Sequence, residues 1–288
     1  LLSAAHFFYC FQDSPPRMEV KMKHVLTIAG SDSCGGAGIQ ADLKTMSALG
    51  VYGMSVITAV TAQNTVGVQD VQEISLKLIE AQIRAIFDDI PVDAVKIGMV
   101  SNPDIIRLIK RLLLEYKAEN IVLDPVMVSK SGYFLLKENA QNELKDLISI
   151  VSVVTPNIPE AEILCGFKIK NEQDMKKAAL CIKDLGALNV LVKGGHRCND
   201  AKDILLSKDQ FEVIDGERIE TPNTHGTGCT LSSAIASHLA MGNSLKDSVM
   251  LSKEYITSAI RNSFPIGKGV GPVGHFIDLY RKAGVKYE

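Results

Sequence analysis

Several features that would decide a protein's class are missing from this chain of 288 residues. It has no tryptophan, and aromatic residues make up only 6% of it. No apolar run approaches the roughly 18 residues of a membrane-spanning helix, and the basic leader of a secretory signal is absent. A formal net charge of −2 provides no field that would attract nucleic acid or an acidic membrane. These absences favour a protein that acts on small molecules.

The six cysteines are scattered, and no two of them have C-x-x-C spacing. Their spacing indicates neither a zinc site nor a disulfide framework, so we interpret them as reduced thiols of a cytoplasmic protein. Three catalytic motifs are also missing: the phosphate loop G-x-x-x-x-G-K-[ST], the G-x-S-x-G elbow and H-E-x-x-H. The classes of enzyme that depend on these motifs are thereby excluded.

Short β-branched runs alternate with helix-length segments along the chain. The sequence Ser101-Asn102-Pro103-Asp104, for example, predicts a capped helix with proline in its first turn. This alternation predicts an α/β fold with a doubly wound, mostly parallel sheet and ligands beyond the carboxyl ends of its strands. We expect one domain over 23–288, with 1–22 outside the fold as a leader or added segment. The predicted strands are 25–29, 56–61, 94–97, 121–123, 151–155 and 190–192.

The first glycine-rich segment, GSDSCGGAGIQAD, follows the first predicted strand. Its G-x-G-x-x-A pattern resembles a dinucleotide fingerprint, but no acidic residue lies between Asp42 and Asp70 to hold a ribose. We therefore expect a substrate loop, whose glycines let a flat ligand approach the backbone. Asp42, in the first turn of the next helix, is a candidate ligand contact, although a helix N-terminal carboxylate explains it equally well.

The second glycine-rich segment is NTHGTGCTLSSAIA, in which Gly226-Thr227-Gly228 leads into a helix at Cys229. Backbone N–H groups at such a helix start form an anion hole that suits phosphoryl transfer. We expect the position to depress the pKa of Cys229 and make it a catalytic base, although free cysteines are usually small buried hydrophobes. His225 is either a base or a brace for the loop, and its position favours a brace.

Asn157 and Glu160 occur in TPNIPEAE, just after a predicted strand. Their oxygen atoms can order Mg²⁺ through water, since Mg²⁺ keeps most of its hydration shell. A helix N-cap with its capping-box carboxylate explains the same two residues equally well.

Taken together and in order, the motifs resemble one family, the hydroxymethylpyrimidine/phosphomethylpyrimidine kinases of thiamine biosynthesis in the ribokinase superfamily. The resemblance covers about residues 24–276. It rests on TIAGSDSCGGAGIQADLKTMSALGVYG, ITAVTAQNT, VKIGM, VLDPVM, TPNIPEAE, LVKGGH, NTHGTGCTLSSAIA and GVGPVGHF.

The resemblance implies a single three-layer α/β/α domain of the ribokinase type, cytoplasmic and homodimeric. It also implies a kinase that uses ATP and Mg²⁺. Such enzymes phosphorylate 4-amino-5-hydroxymethyl-2-methylpyrimidine and then phosphorylate the monophosphate to the pyrophosphate.

The residues that match the family's site fall into three groups. Those that match pyrimidine contacts are Gly30, Asp42, Gln63, Met99 and Val126. Cys229 matches the residue facing the reacting hydroxyl, and Gly226, Thr227 and Gly228 match the anion hole. The remaining matches are Asp124, Asn157, Lys193, Gly194 and Gly195 on the ATP side, with Asn157 and Glu160 as water-mediated magnesium ligands.

Two alternatives remain open, and the first is a pyridoxal kinase of vitamin B6 salvage or a dual-specificity kinase that acts on both the pyrimidine and pyridoxal. Related pyridoxal kinases share the cysteine of GTGC, but they tend to carry a lid cysteine and to lack the glutamine of AQN. Here 128–132 contains no cysteine and Gln63 is present, which favours the pyrimidine. Lys130 of this lid either helps to neutralise phosphate charge or is a solvated surface residue. A non-catalytic sensor is the second alternative, and the intact GTGC and PNxxE motifs argue against it.

Overall fold

The computed structural model describes residues 21–127, 140–195 and 201–285. Residues 1–20 of the expected leader and the lid at 128–132, with Lys130, lie outside the described residues. Within the described ranges the chain forms a three-layer α/β/α sandwich, as expected.

Nine strands of the described residues form one sheet in the order β3-β2-β1-β4-β5-β6-β7-β8-β9. The strands from β2 to β7 run parallel, whereas β3 and β8 are antiparallel to their inner neighbours and β9 is antiparallel to β8. Their bounds are β1 His24–Asp32, β2 Tyr52–Gln63, β3 Val68–Glu73, β4 Ala94–Ile97, β5 Ile121–Leu123, β6 Val153–Val154, β7 Val190–Val192, β8 Asp203–Ser207 and β9 Gln210–Ile214.

Helices cover both faces of the sheet. Helices α2 to α6 pack on one face, and α1, α7 and α8 pack on the other. None of the described helices combines the length and apolar character that a membrane span requires. Their bounds are α1 Gly38–Ala48, α2 Leu76–Phe87, α3 Pro103–Glu115, α4 Gln141–Ile148, α5 Ile158–Cys165, α6 Glu172–Lys183, α7 Thr227–Ala240, α8 Leu245–Arg261 and α9 Ile277–Lys282.

Local sequence explains where α3 begins and what it buries. Asn102 is the N-cap, and its side chain accepts a hydrogen bond from the backbone N–H of Ile105 at 3.0 Å. Pro103 follows in the first turn, where its missing N–H has no partner to lose. The helix then buries an apolar stripe against the sheet, so the predicted capped helix is confirmed.

All six predicted strands are present, although the strand expected at 151–155 is shorter and spans only Val153–Val154. The sequence pattern did not predict β3, β8 and β9, which are the strands that run antiparallel at the two sides of the sheet. β3 and β9 lie at the edges and are about half exposed, so their sequences VQDVQE and QFEVI lack the continuous apolar character of a buried parallel strand.

Candidate active site

The two glycine-rich loops lie in direct contact, although about 190 residues separate them in the sequence. A Cβ atom built on Gly226 would lie 1.8 Å from the carbonyl oxygen of Gly36. A Cβ on Gly36 would lie 2.3 Å from Cδ2 of His225. Gly226 also has a φ of +79°, a conformation that L side chains rarely adopt. Glycine is therefore required at both positions for the loops to meet.

His225 braces the first loop through Asp32. His225 Nε2 lies 2.8 Å from Oδ2 of Asp32, and this oxygen also accepts hydrogen bonds from the backbone N–H groups of Gly36 and Ala37. Burial alone would raise the pKa of Asp32, but the His225 contact and the backbone N–H donors outweigh it and lower the pKa. This geometry supports the bracing interpretation of His225.

A cavity of about 750 Å³ opens where the loops meet the carboxyl ends of the parallel strands. Most of the expected site residues line it, and only Asp42 and Gly194 are not among its walls. The expected residues that line the cavity are Gly30, Gln63, Met99, Asp124, Val126, Asn157, Glu160, Lys193, Gly195, Gly226, Thr227, Gly228 and Cys229.

Asp42 belongs to a buried polar cluster instead of the cavity wall. It lies in the second turn of α1, so its expected position in the first turn was wrong. Its carboxylate accepts hydrogen bonds from Lys96 Nζ at 2.8 and 2.9 Å, and from Thr27 Oγ1 and Ser233 Oγ at 2.6 Å each. Direct contact with a ligand therefore has no support in this geometry.

Sequence reasoning did not single out Lys96. Its side chain has no exposed surface, and it stands in β4, whose sequence AVKI is otherwise apolar. A lysine inside a fully buried strand requires a buried partner, and that was the available signal. Burial opposes its charge, but the nearby Asp42, Cys229 and Asp124 outweigh this and raise the pKa of Lys96.

Gly194 is not in the cavity wall but supports its neighbours there. Its backbone N–H donates to Oδ1 of Asp203 at 2.8 Å, and a Cβ on it would lie 1.7 Å from the carbonyl oxygen of Lys202. Lys253 of α8 holds the second oxygen of Asp203 at 2.6 Å. Gly194 therefore allows the close backbone approach that places its neighbours Lys193 and Gly195 in the cavity wall.

Cys229 lies in the first turn of α7, which begins directly after the left-handed N-cap Gly226. First-turn N–H groups have no acceptor within the helix. The Thr227 N–H donates to the carbonyl oxygen of Thr224 at 3.4 Å, so the N–H groups of Gly228 and Cys229 are the ones available to an anion in the cavity. The backbone N–H of Gly38 at the start of α1 lowers the pKa of the Cys229 thiol, although other influences outweigh it.

The expected depression of the Cys229 pKa is wrong. Burial raises the pKa of the thiol to about 11, and the negative charges of Asp42 and Asp124 add to this increase. Lys96 and the Gly38 N–H act in the opposite direction but do not overcome it. Burial is therefore the main influence on this sulfur, and Cys229 is a thiol near neutral pH.

A charged cluster faces the anion hole from the sheet. Lys193 Nζ lies 2.6 Å from Oδ1 of Asp124. A Cβ on Gly228 would lie 3.1 Å from Oδ2 of Asp124 and 3.4 Å from Lys193 Nζ, so the start of α7 closely approaches this pair. A phosphate held at the anion hole would therefore lie beside both a cation and a carboxylate.

Asn157 and Glu160 form a capping box at the start of α5. Asn157 Oδ1 accepts from the Glu160 N–H at 2.9 Å, and Glu160 Oε2 accepts from the Asn157 N–H at 2.8 Å. Burial raises the pKa of Glu160 to about 7, while Lys193 and the N–H groups of Asn157 and Met127 oppose the rise. Both oxygens keep lone pairs beyond these bonds, so the capping and magnesium interpretations are compatible.

The far wall of the cavity consists of residues that sequence reasoning missed. They lie in the segment before α7 and on α8, where ordinary polar and apolar side chains show no motif. They include Glu217, Arg218, Ile219, Thr221, Lys253, Ile256, Thr257 and Ile260. Only the packing of α8 beside α7 reveals their position.

A model of the phosphomethylpyrimidine kinase family matches residues 32–274. The thiamine biosynthesis bifunctional protein ThiED of Geobacter sulfurreducens is 50% identical over 255 residues, which cover 88% of this chain and 52% of that protein. The chain therefore spans about half the length of that relative. The hydroxymethylpyrimidine/phosphomethylpyrimidine kinase of Haemophilus influenzae is 45% identical over 261 residues, which cover 88% of this chain and 97% of the relative.

Solved structures show the same similarity. Phosphomethylpyrimidine kinase from Clostridium difficile superposes with a TM-score of 0.74 at 54% identity, covering 83% of this chain and 99% of that chain. An ADP complex of Bacillus subtilis pyridoxal kinase gives a TM-score of 0.83 at 42% identity, covering 88% and 98%. The family match, the relatives and the fold agree, and the chain belongs to the phosphomethylpyrimidine kinase family.

Proposed function

We propose that this chain is an ATP-dependent kinase that phosphorylates 4-amino-5-hydroxymethyl-2-methylpyrimidine and then its monophosphate, yielding the pyrophosphate for thiamine biosynthesis. The observation that carries the proposal is the single cavity that joins Gln63 at one end to the anion hole and the Lys193–Asp124 pair further in. An alcohol at the first end and a nucleotide at the other would meet at Cys229.

The substrate end of the cavity is lined by Gly30 and Met99 and presents the amide of Gln63. Gly30 packs against Met99 so closely that a Cβ would lie 2.5 Å from its Cε atom. Gln63 is anchored through its backbone, because its N–H donates to Ser33 Oγ and its carbonyl oxygen accepts from the same hydroxyl. Its amide provides a donor and an acceptor, which match the edge of an aminopyrimidine.

The phosphate end supplies positive charge and oriented N–H groups, the main requirements of phosphoryl transfer. In this proposal the N–H groups of the α7 start bind the transferred phosphoryl group, and Lys193 neutralises charge on it. The substrate hydroxyl faces Cys229 and gives up its proton there. Gly195 lines the ATP side, and Asp124 orients Lys193 through their 2.6 Å contact.

The residues present fit Mg²⁺ held through water. Glu160 is buried beside the cavity, and Asn157 lies next to it, both with oxygen lone pairs left after the capping box is formed. Mg²⁺ supplies charge neutralisation to the ATP phosphates when it is bound.

The test is an ADP-release assay with ATP and Mg²⁺ that compares hydroxymethylpyrimidine with pyridoxal at equal concentration. We expect turnover with the pyrimidine and a pyrophosphate as the final product by mass spectrometry. Turnover of pyridoxal alone, with an absorbance change from a hemithioacetal at Cys229, would move the function to vitamin B6 salvage. Binding of the pyrimidine without ADP release would indicate a sensor.

Gln63→Leu tests the assignment of the substrate end. We expect the variant to lose pyrimidine turnover more than it loses pyridoxal turnover, because the amide contacts are specific to the aminopyrimidine edge. Gln210→Leu is the matched control, since Gln210 lies on the exposed strand β9 away from the cavity. Equal loss in the two variants would contradict the assignment.

We also propose that the chain acts as a cytoplasmic homodimer. Val60 on β2 and Val66 just after it are exposed apolar side chains beside the substrate end, and they offer a surface for a second copy. Light scattering should then give twice the 31.2 kDa of the chain. A mass of one chain at micromolar concentration would contradict this part of the proposal.

A further inference from the structure

Three side chains with metal-binding atoms converge at the edge of the cavity. Asp32, Cys34 and His225 each offer one ligand atom, and these atoms all lie within 4.8 Å of one another. Asp32 and His225 line the cavity, whereas Cys34 is on the loop beside it. The proposed kinase reaction assigns no chemistry to the sulfur of Cys34.

The burial of the three residues suits a site that a small cation can enter. Asp32 is 3% exposed and His225 is 8% exposed, so two of the donors are held within the fold. Cys34 is partly exposed and gives access from solvent. Among the described residues, Oδ1 of Asp32 is paired only with the Cys34 N–H, at 2.8 Å, so it retains a lone pair.

An imidazole, a thiolate and a carboxylate are the ligands of zinc and similar borderline-soft cations, and three protein ligands leave a fourth tetrahedral position for water. We propose that Asp32, Cys34 and His225 form a binding site for one such divalent cation, which clamps the two glycine-rich loops together and inhibits the enzyme. Zn²⁺ binding releases the Cys34 proton, and the His225 proton moves to its other ring nitrogen. The two negative ligands then neutralise the cation.

Inhibition follows from the position of His225. Its Nε2 atom lies 3.3 Å from Nε2 of Gln63, the amide assigned above to the substrate end. A cation held by Asp32, Cys34 and His225 would replace the hydrogen bond between Asp32 and His225 and place the metal with its bound water beside Gln63. We expect this to exclude the pyrimidine and to leave the nucleotide end accessible.

Sequence spacing does not reveal this site, because Asp32 and His225 are 193 positions apart. The scattered cysteines indicated no zinc site by their spacing. The site arises only because Gly36 and Gly226 bring the two loops into contact.

The test is titration of the reduced full-length chain with Zn²⁺ and with Co²⁺, in the absence of ATP and Mg²⁺. We expect one equivalent of Zn²⁺ per chain in competition with a chromophoric chelator. Co²⁺ should give tetrahedral absorption bands with a thiolate-to-cobalt charge-transfer band. Cys34→Ser should abolish the charge-transfer band and weaken Zn²⁺ binding at least tenfold. This measurement is independent of the kinase reaction.

Cys181→Ser and Cys229→Ser are the matched controls, and both should retain the binding and the cobalt–thiolate band. The second readout is the rate with the pyrimidine for the wild type, Cys34→Ser and Cys181→Ser, each compared with its own zinc-free rate. Zn²⁺ should inhibit the wild type reversibly, with relief by a chelator, and should inhibit Cys34→Ser at least tenfold less effectively. Equal Zn²⁺ affinity in wild type and Cys34→Ser, or a charge-transfer band that disappears with Cys229, would overturn the proposal. Stoichiometric binding without inhibition would overturn the inhibitory role.

Discussion

Lys96 Nζ lies 2.8 Å from Oδ2 of Asp42, and neither side chain has any exposed surface. The pair lies between the sheet and helices α1 and α7, where Ser233 of α7 also donates to Asp42 at 2.6 Å. Ser233 follows Cys229 by one helical turn. The charge pair therefore connects β4, α1 and the helix that carries the cysteine.

Replacing one member of this pair should be strongly destabilising. Lys96→Met leaves the Asp42 carboxylate buried and uncompensated, so we expect the free energy of unfolding to fall by about 3–5 kcal/mol. Denaturant titration measures this change. Lys168→Met removes the cation of the Lys168–Glu162 pair, in which the lysine is 79% exposed, and should cost less than about 1 kcal/mol. Similar losses in the two variants would contradict the role of burial.

Gly226→Ala should separate steric contact from backbone strain. Gly50 has nearly the same φ, +78° against +79°, but a Cβ on it meets no atom within 4 Å. We expect Gly50→Ala to cost roughly 1–2 kcal/mol from backbone conformation alone. Gly226→Ala should cost clearly more, because its Cβ meets Gly36 O at 1.8 Å, and nucleotide binding should weaken. Thermal unfolding measures the loss of stability, and ADP titration measures nucleotide binding. Equal losses of stability in Gly226→Ala and Gly50→Ala would mean that the two loops can move apart without destabilising the fold.

The activity of Cys229 should depend on pH in a defined direction. With its pKa raised to about 11, the thiolate fraction grows about tenfold per pH unit below that value. If the thiolate takes the hydroxyl proton, kcat/KM for the pyrimidine should rise from pH 7 to 9. Cys229→Ala should lower the rate by roughly 10²–10⁴-fold and remove this rise. A wild-type profile that is flat over this range would assign the proton to another acceptor.

Glu160 should make stability fall as pH rises. Its pKa in the folded protein is about 7, above its ordinary value of 4.5, so folding favours the protonated form. The contribution of Glu160 is therefore fully present below pH 4.5 and is lost as the pH rises through 7. Relative to Glu160→Gln, the wild type should lose on the order of 2 kcal/mol of unfolding free energy between pH 5 and 8.

Glu162→Gln is the control for this prediction. The Lys168 and Ile169 N–H contacts lower the pKa of Glu162, so it titrates below pH 4.5 and should add no pH dependence between 5 and 8. If the free energies of unfolding of the wild type and Glu160→Gln change in parallel between pH 5 and 8, the raised pKa of Glu160 is contradicted.

Much of the fold follows from local patterns in the sequence. Strands β4, β5 and β7 are covered on both faces by helices, so they are short apolar runs that the sequence shows directly. The capping residues of α3 and α5 act within one turn and were visible as motifs. Edge strands β3 and β9 were not visible in the sequence, because a half-exposed strand has no continuous run of apolar residues.

The sequence by itself determined the alternation of strands and helices, the two glycine-rich loops and the motif residues of the cavity, but not its far wall. Only the tertiary structure decided the roles that depend on distant neighbours. It buried Asp42 against Lys96 away from the cavity, raised the pKa of Cys229, and brought His225 to Asp32 and Cys34. Local patterns act through hydrogen bonds and periodic burial over a few residues, whereas desolvation and charge interactions depend on every side chain that the fold brings within a few ångströms.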